Sequence, residues 1–342
     1  MSKVKNPTIR DIARIAGVST ATVSRAFAKP DLVAEPTRTR VLDLADRLGY
    51  RLNMRAVDFR HGRTHAIIVL VSDIANPFFS EFFKGIEERA RADGYILLIG
   101  DTAGDATSEE TYVGMLLTGR ADGLIINTGF CPESLAEPFA RSPSSMLPPV
   151  VSCADLDGLD VPTVRIDNYR SSQLAAEHLL GLGHRRMAVI CGSLSIRGFA
   201  DRLAGFADLV RQAGGVIPDD MIVTGRMTIE SARALTTTLM TRDDPPTAIF
   251  AHSDEMAMGA LHALRNLGLQ VPEQVSVVGY DDMNYAKVVT PALTTIHLPR
   301  RLWGATACQQ LLLQIGSGDR VQRNIDMPTE LIVRQTTAPP PR

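Results

Sequence analysis

The first fifty residues carry apolar positions at helical spacing. Ile9, Ile12, Ala13 and Ala16 recur at i, i+3, i+4 and i+7. Thr8 and Asp11 stand before and within that run at capping-box spacing, and Gly17 stops it. Val18 and Ser19 then form a turn. Ser19 is a suitable N-cap for TATVSRAFA, whose Val23, Ala26 and Phe27 share one side. A third helix opens at Pro36, places Val41, Leu44, Ala45 and Leu48 on one face, and ends at Gly49. The pattern predicts three short amphipathic helices around one small core.

From His65 the period changes. Short β-branched runs alternate with longer amphipathic stretches: AIIVLV, FFSEFFKGIEERARADG, YILLIG, a second helical stretch and GLIIN. A second series starts near Arg186 with MAVICG, RLAGFADLVRQAGG, MIVTG, SARALTTTLM, TAIFAHS, DEMAMGALHALRNLG and VSVVGYDD, and a last helix runs near Leu302 to Gln314. Such alternation predicts parallel sheets built from βαβ units, here in two similar halves facing a cleft. Ligands of open parallel sheets bind beyond the carboxyl ends of the strands. The loops in question are SDIANPFF, NTGF, CADLD, CGSLSIRGFADR, AHSDEM and YDDMN.

Charge divides the 342 residues differently from hydropathy. Residues 1–63 hold thirteen Lys and Arg against six Asp and Glu, a net +7, which leaves −9 for the remainder. A basic head on an acidic body implies a polyanionic partner for the head alone. In the second helix, Thr20, Ala21, Ser24, Arg25 and Ala28 fall opposite Val23 and Phe27, with Thr22 at the margin. That face is made of short hydroxyl and methyl groups with a single guanidinium. It admits close approach to base edges, where Arg binds guanine bidentately and Thr or Ala methyls meet thymine. The competing reading is a solvated helix pair in an enzyme's cap.

The runs TIRDIARIAGVSTATVSRAF, TRTRVLDLADRLGY and NMRAVDFRHGRT resemble the headpiece and hinge of the LacI/GalR family, and later segments are similar as well. The resemblance implies an all-α helix-turn-helix headpiece (1–50), a hinge helix and linker (51–64), and an effector-binding and dimerisation domain (65–342). That domain would have the two-lobed α/β periplasmic-binding-protein type I architecture. One lobe would span about 65–167 and 298–326, the other about 168–297 and 327–338. It implies base reading in the major groove by Thr20, Ala21 and Arg25; Thr22 and Ser24 on the same helix are further DNA-binding candidates. It also implies a hinge, carrying Asn53, Ala56 and Phe59, that inserts an apolar lever into the minor groove. The family usually has Leu at the lever, and Phe59 departs from that pattern; Phe still wedges a base step. Without the resemblance, residues 51–63 read as a basic linker too short and polar to hold a helix alone. The stretches NPFFSEFFKGIE, YILLIGD, VPTVRIDN and AHSDEMAMGAL are closer to the cytidine-responsive branch of the family than to the purine-responsive one.

In the body, Asp281 directly after VSVVGY offers an acceptor for ligand hydroxyls, Arg202 a forked cationic donor and Phe78 an aromatic wall. Sugar and nucleoside sites use these three chemistries. The resemblance carries the effector contacts of the R-L-A-G-F and G-Y-D motifs to Arg202 and Asp281, and a polar contact to Ser253. Asp254 is read as the N-cap of EMAMGALHAL and not as a ligand.

Several classes are set aside. GLGHRR at Gly181 lacks the third glycine and follows a helix, so it fails as a dinucleotide loop, and no G-x-S-x-G turn, Walker loop or H-E-x-x-H occurs. His252, Asp254 and Glu255 lack a second ligand cluster, so neither metal nor cofactor is assigned. Cys131, Cys153, Cys191 and Cys308 are far apart and read as small core residues. No apolar run approaches the ~18 residues of a membrane span, and the start lacks a secretory signal, which leads to a cytoplasmic expectation. The function expected is a non-enzymatic, homodimeric transcriptional regulator, a repressor, bound to a pseudo-palindromic operator and controlled by a sugar or nucleoside. The tail QTTAPPPR has no apolar heptads to support a tetramer. The alternative is a free-standing sugar-binding protein with no DNA-binding role.

Overall fold

A computed structural model describes residues 7–28, 30–50, 63–141, 148–156, 158–317 and 324–341. The chain divides into two units, Met1–Thr64 and His65–Arg342. In the first, α1 (Ile9–Ala16) begins with a complete capping box between Thr8 and Asp11. It ends on Gly17 at φ +64°, where the backbone N–H reaches the carbonyls of Ala13 and Arg14. A residue with a Cβ would be strained there. Helix α2 (Thr20–Ala28) starts from Ser19, whose hydroxyl accepts the Thr22 N–H, and α3 spans Glu35–Arg47 with a proline in its first turn. Ile12, Ala13, Ala16, Val23, Ala26, Val41 and Ala45 close the core, joined by Tyr50. The Tyr50 ring meets Phe27 edge-on at 6.0 Å. Leu48 departs from its predicted place on the buried face. It follows the last helical residue and is 40% exposed.

The second unit holds two six-stranded sheets. The first has the order β11-β5-β4-β3-β1-β2 and the second β12-β10-β9-β8-β6-β7. These are β1 (Ala66–Val71), β2 (Ile96–Asp101), β3 (Gly123–Asn127), β4 (Val150–Ser152), β5 (Thr163–Ile166) and β11 (Asn324–Met327), then β6 (Met187–Cys191), β7 (Ile222–Thr224), β8 (Ala248–Ala251), β9 (Ser276–Asp281), β10 (Thr294–His297) and β12 (Glu330–Ile332). All pairings are parallel except β10 with β12. Every residue of β1, β6, β8 and β9 is buried, as parallel strands covered on both faces require. The alternating pattern predicted these strands. Strands β4, β5, β10, β11 and β12 are three or four residues long, too short to show a period.

The helices are α4 (Phe79–Ala92), α5 (Ala106–Leu117), α6 (Glu133–Arg141), α7 (Asn168–Gly181), α8 (Arg197–Gln212), α9 (Ile229–Met240), α10 (Asp254–Asn266) and α11 (Arg300–Ser317). The chain passes between the sheets after β5, after β10 and after β11. Helices α4 and α11 meet backbone to backbone. A Cβ on Gly85 would lie 1.9 Å from the Arg301 carbonyl oxygen, and one on Gly304 would lie 2.1 Å from that of Phe82. This close seat fixes the start of α4, and therefore Phe78, beside the first sheet.

Candidate functional sites: a recognition helix and an interlobe cleft

Helix α2 presents Thr20, Ala21 and Arg25 to solvent, with Thr22 and Ser24 half-buried. The Thr22 hydroxyl is turned to the Ser19 hydroxyl at 2.9 Å, so it serves the helix cap as well as the exposed face. Among the described residues Arg25 has no ion-pair partner, whereas Arg14 on α1 is held 3.4 Å from Asp11. The expected hinge residues Asn53, Ala56 and Phe59 lie outside the described residues.

In the second unit a cavity of about 310 Å³ opens between the two sheets at the carboxyl ends of their strands. Each of the six loops singled out from sequence lines it: Asp73 and Phe78 after β1, Asn127 at the end of β3, Asp155 after β4, Phe199 and Arg202 beyond β6, Ser253 after β8, and Asp281 at the end of β9. The four residues proposed for the effector therefore converge on one space.

Arg202 reaches into it from α8. Its Nε donates to Asn168 Oδ1 at 2.8 Å and its Nη1 to the His252 carbonyl at 2.6 Å. The guanidinium lies over the Tyr280 ring at 3.7 Å and the Phe199 ring at 5.2 Å. Tyr280 is in turn fixed through its hydroxyl, 2.6 Å from that of Ser171 and donating to Asn168 Oδ1 at 3.2 Å. Helix α8 approaches α7 closely enough for this because Gly205 has no Cβ, which would stand 2.0 Å from the Tyr169 carbonyl oxygen. His252, fully buried beside Arg202, has its imidazole held well below the usual range, by burial first and the guanidinium second.

Asp281 is 6% exposed and adopts φ +116°, a conformation that strains a residue with a side chain. Burial pushes its carboxyl well above the ordinary value, against the pull of Arg202. Behind it sits Asp254, fully buried, whose carboxyl accepts the Met283 N–H at 2.6 Å and the Thr295 hydroxyl at 2.6 Å. Burial raises Asp254 to about 7. The reading of Asp254 as N-cap is corrected here. Ser253 caps α10, accepting the Met256 N–H at 3.1 Å, and Asp254 is the first helical residue. The shift has a physical reason. Asp254 is drawn inward by two buried donors, and its neighbour's hydroxyl is the group left at cap distance.

The cleft's charges are mostly committed. Arg165 is paired with Asp155 at 2.5 Å and Asp326 at 2.8 Å. Glu255, on the wall opposite Asp73, is raised by burial and then by Asp73 and Glu230. Phe78 packs edge-on to Phe79 and Trp303, at 5.1 and 6.3 Å. It is a wall residue seated on the core. The motif search missed Asn168, Tyr280, Arg226 and Trp303. Trp303 lines the cleft from α11 while its indole N–H donates to the Val164 carbonyl at 2.6 Å. Nothing in its helical run distinguishes the cleft-facing side. Asn168 had a signal, in VRIDN at the end of a β-branched run, where a polar pair ends a strand.

Residues 8–53 match the bacterial regulatory proteins of the lacI family, and residues 176–337 match the periplasmic binding protein-like domain. The chain is 36% identical over 336 residues to the HTH-type transcriptional repressor CytR of Escherichia coli (strain K12), covering 96% of each chain. The chain belongs to the lacI family. It superposes on the lac repressor dimer bound to operator and the anti-inducer ONPF with a TM-score of 0.86 and 30% identity, covering 98% of this chain and 100% of that one. The complex of the transcriptional regulator CelR with cellobiose gives a TM-score of 0.71 at 28% identity, over 96% and 99% of the two chains. This lacI-family member is thus a DNA-binding transcriptional regulator under small-molecule control, and not an enzyme. Its larger unit has the periplasmic-binding-protein-like fold. Among the described residues no helix is long and apolar enough to cross a membrane.

Proposed function

We propose that this chain is a cytoplasmic, homodimeric repressor whose hold on a pseudo-palindromic operator is set by a neutral, hydroxyl-bearing ligand in the cleft. Thr20, Ala21 and Arg25 on α2 read bases, with Thr22 and Ser24 beside them. Asn53, Ala56 and Phe59 act within a hinge spanning 51–64, between a headpiece of residues 1–50 and the effector domain from 65. Two α2 helices on two half-sites follow from a two-fold protein on a two-fold operator.

The observation that carries the ligand assignment is the convergence of Arg202, Asp281, Ser253 and Phe78 on one cavity. Arg165 is neutralised on two sides, and Arg202 already spends two donors on Asn168 and His252. Asp73, Glu255 and Asp281 border the same space together with one further lining cation, Arg226, while Asp155 is already paired with Arg165. That balance favours an uncharged sugar or nucleoside over a phosphorylated one, with hydroxyls on Asp281 and Arg202 and a ring face on Phe78. A thermal-shift screen over sugars, sugar phosphates and nucleosides tests this. A ligand at 100 times its Kd adds about 2.7 kcal/mol to stability. A response confined to phosphorylated compounds would refute the neutral assignment. For the head, binding to bulk duplex DNA should weaken steeply with salt, because releasing counterions into a more concentrated solution gains less free energy.

A further inference from the structure

The second passage between the sheets ends at Arg300, the first residue of α11. Its side chain is neither at the surface nor in the cavity, and the residue is 6% exposed. Nη1 donates to the Phe78 carbonyl at 3.2 Å and lies 3.0 Å from the Met283 sulfur, while Nη2 donates to the Asp282 carbonyl at 3.2 Å. The guanidinium carbon is 5.8 Å from the Phe78 ring centroid. One buried cation thus touches the loop after β1 on the first sheet and the loop after β9 on the second.

The loop after β9 is held in an unusual form. Asp281 and Asp282 follow one another at φ +116° and +52°, and both carry side chains that disfavour this region. The turn is held from three directions. Asp254 accepts the Met283 N–H. The Asp282 carboxylate accepts from Arg334 Nη2 at 2.6 Å and lies 2.9 Å from His297 Nδ1. Arg300 grips the Asp282 carbonyl between them. Arg334 sits beyond β12, after the third passage, and also donates to the Leu293 carbonyl at 2.7 Å. The residue that faces the cavity is therefore followed at once by a residue tied to the interlobe passages.

Arg300 holds less firmly than its neighbours. Its two oxygen contacts are 3.2 Å long against 2.6 Å for Arg334 to Asp282, and its buried Nε has no partner among the described residues. An unpaired donor on a buried cation is costly, so an arrangement of the turn that offers Nε an acceptor would be favoured.

We propose that Arg300 is a positioning residue that couples the Asp281 turn to the Phe78 loop, so that a change at Asp281 moves both walls of the cleft together. This rests on the reading of Asp281 as ligand-facing and adds how occupancy on one lobe is felt on the other. Coupling of this kind needs an element whose arrangement both sides bias, and the strained turn supplies it.

A double-mutant cycle followed by amide hydrogen exchange on the full chain tests the proposal without a ligand. Asp281→Asn alters the ligand-facing carboxylate. In the parent it should change exchange at the Asn76, Phe78 and Phe79 amides by about threefold or more. In the Arg300→Met background the same substitution should leave those amides unchanged. A purely structural role for Arg300 predicts faster exchange in Arg300→Met with the Asp281→Asn increment intact, and that result would overturn the proposal. So would an Asp281→Asn protein whose exchange at residues 76–79 equals the parent's. Should Arg300→Met not fold, Arg300→Lys keeps the charge and loses the fork, and the increment should still shrink. Failure of the regulatory reading would appear elsewhere, in the ligand screen and the DNA titration.

Discussion

The guanidinium of Arg202 lies over the ring of Tyr280, 3.7 Å from its centroid, and the two share the acceptor Asn168 Oδ1. This contact joins α8 to the end of β9, with Arg202 lining the cleft beside Asp281 and Tyr280 buried beneath it. Substituting Lys keeps the charge and loses the planar fork, so it cannot span Asn168 and His252 while stacking. Arg202→Lys should lower affinity for the ligand found by screening about 10–100-fold, from charge-assisted hydrogen bonds worth about 1.5–3 kcal/mol each. Isothermal titration checks this, and an unchanged Kd would remove Arg202 from the site.

At the other end of the chain, Arg25 is an exposed cation on α2, the helix proposed to read bases. Arg25→Ala should cost about 1–3 kcal/mol on a duplex selected from a random pool and relax the preference at one base pair. Binding to bulk DNA should change much less. Equal losses on selected and bulk DNA would mean that Arg25 contacts phosphate.

Two glycines make opposite predictions. Gly304→Ala places a Cβ 2.1 Å from the Phe82 carbonyl oxygen, a backbone atom that cannot step aside. It should destabilise the fold by about 2–4 kcal/mol and disturb Phe78 at the head of α4. Gly114 lies within α5 with nothing near its absent Cβ, so Gly114→Ala should stabilise by up to about 1 kcal/mol. Urea melts of the two variants suffice to check the contrast.

Asp254 gives a signed dependence on pH. Its folded-state value of about 7, raised by burial, exceeds the unfolded carboxyl's, about 3.9. The native chain therefore holds a proton that the unfolded chain releases, and stability contributed by this group is lost as pH rises from about 4 to about 7. The half-buried His178 and the buried His184 and His252, lowered chiefly by desolvation, act the other way below the ordinary imidazole value. The difference between parent and Asp254→Asn isolates the carboxyl, since Asn keeps an acceptor for Met283 and gains a donor for Thr295. Relative to the parent, Asp254→Asn should gain stability between about pH 5 and about pH 8. A constant difference across that range would show that Asp254 does not titrate there.

The sequence alone determined what depends on neighbours along the chain. Caps, turn glycines and the i, i+3, i+4 spacing are local, so α1, α2 and the six cavity loops were legible from the residues. It also determined the split of charge between head and body. Tertiary structure decided what depends on contacts far apart in the chain. It moved the cap of α10 from Asp254 to Ser253 because Thr295 and Met283 draw the carboxylate inward. It left Leu48 40% exposed, brought Trp303 to the cleft from a stretch whose own pattern reads as ordinary helix, and set the buried Tyr280 beneath Arg202. The reason is physical. Periodicity reports which face of an element is apolar, while the partners that a buried polar group finds are set by the packing of elements remote in sequence.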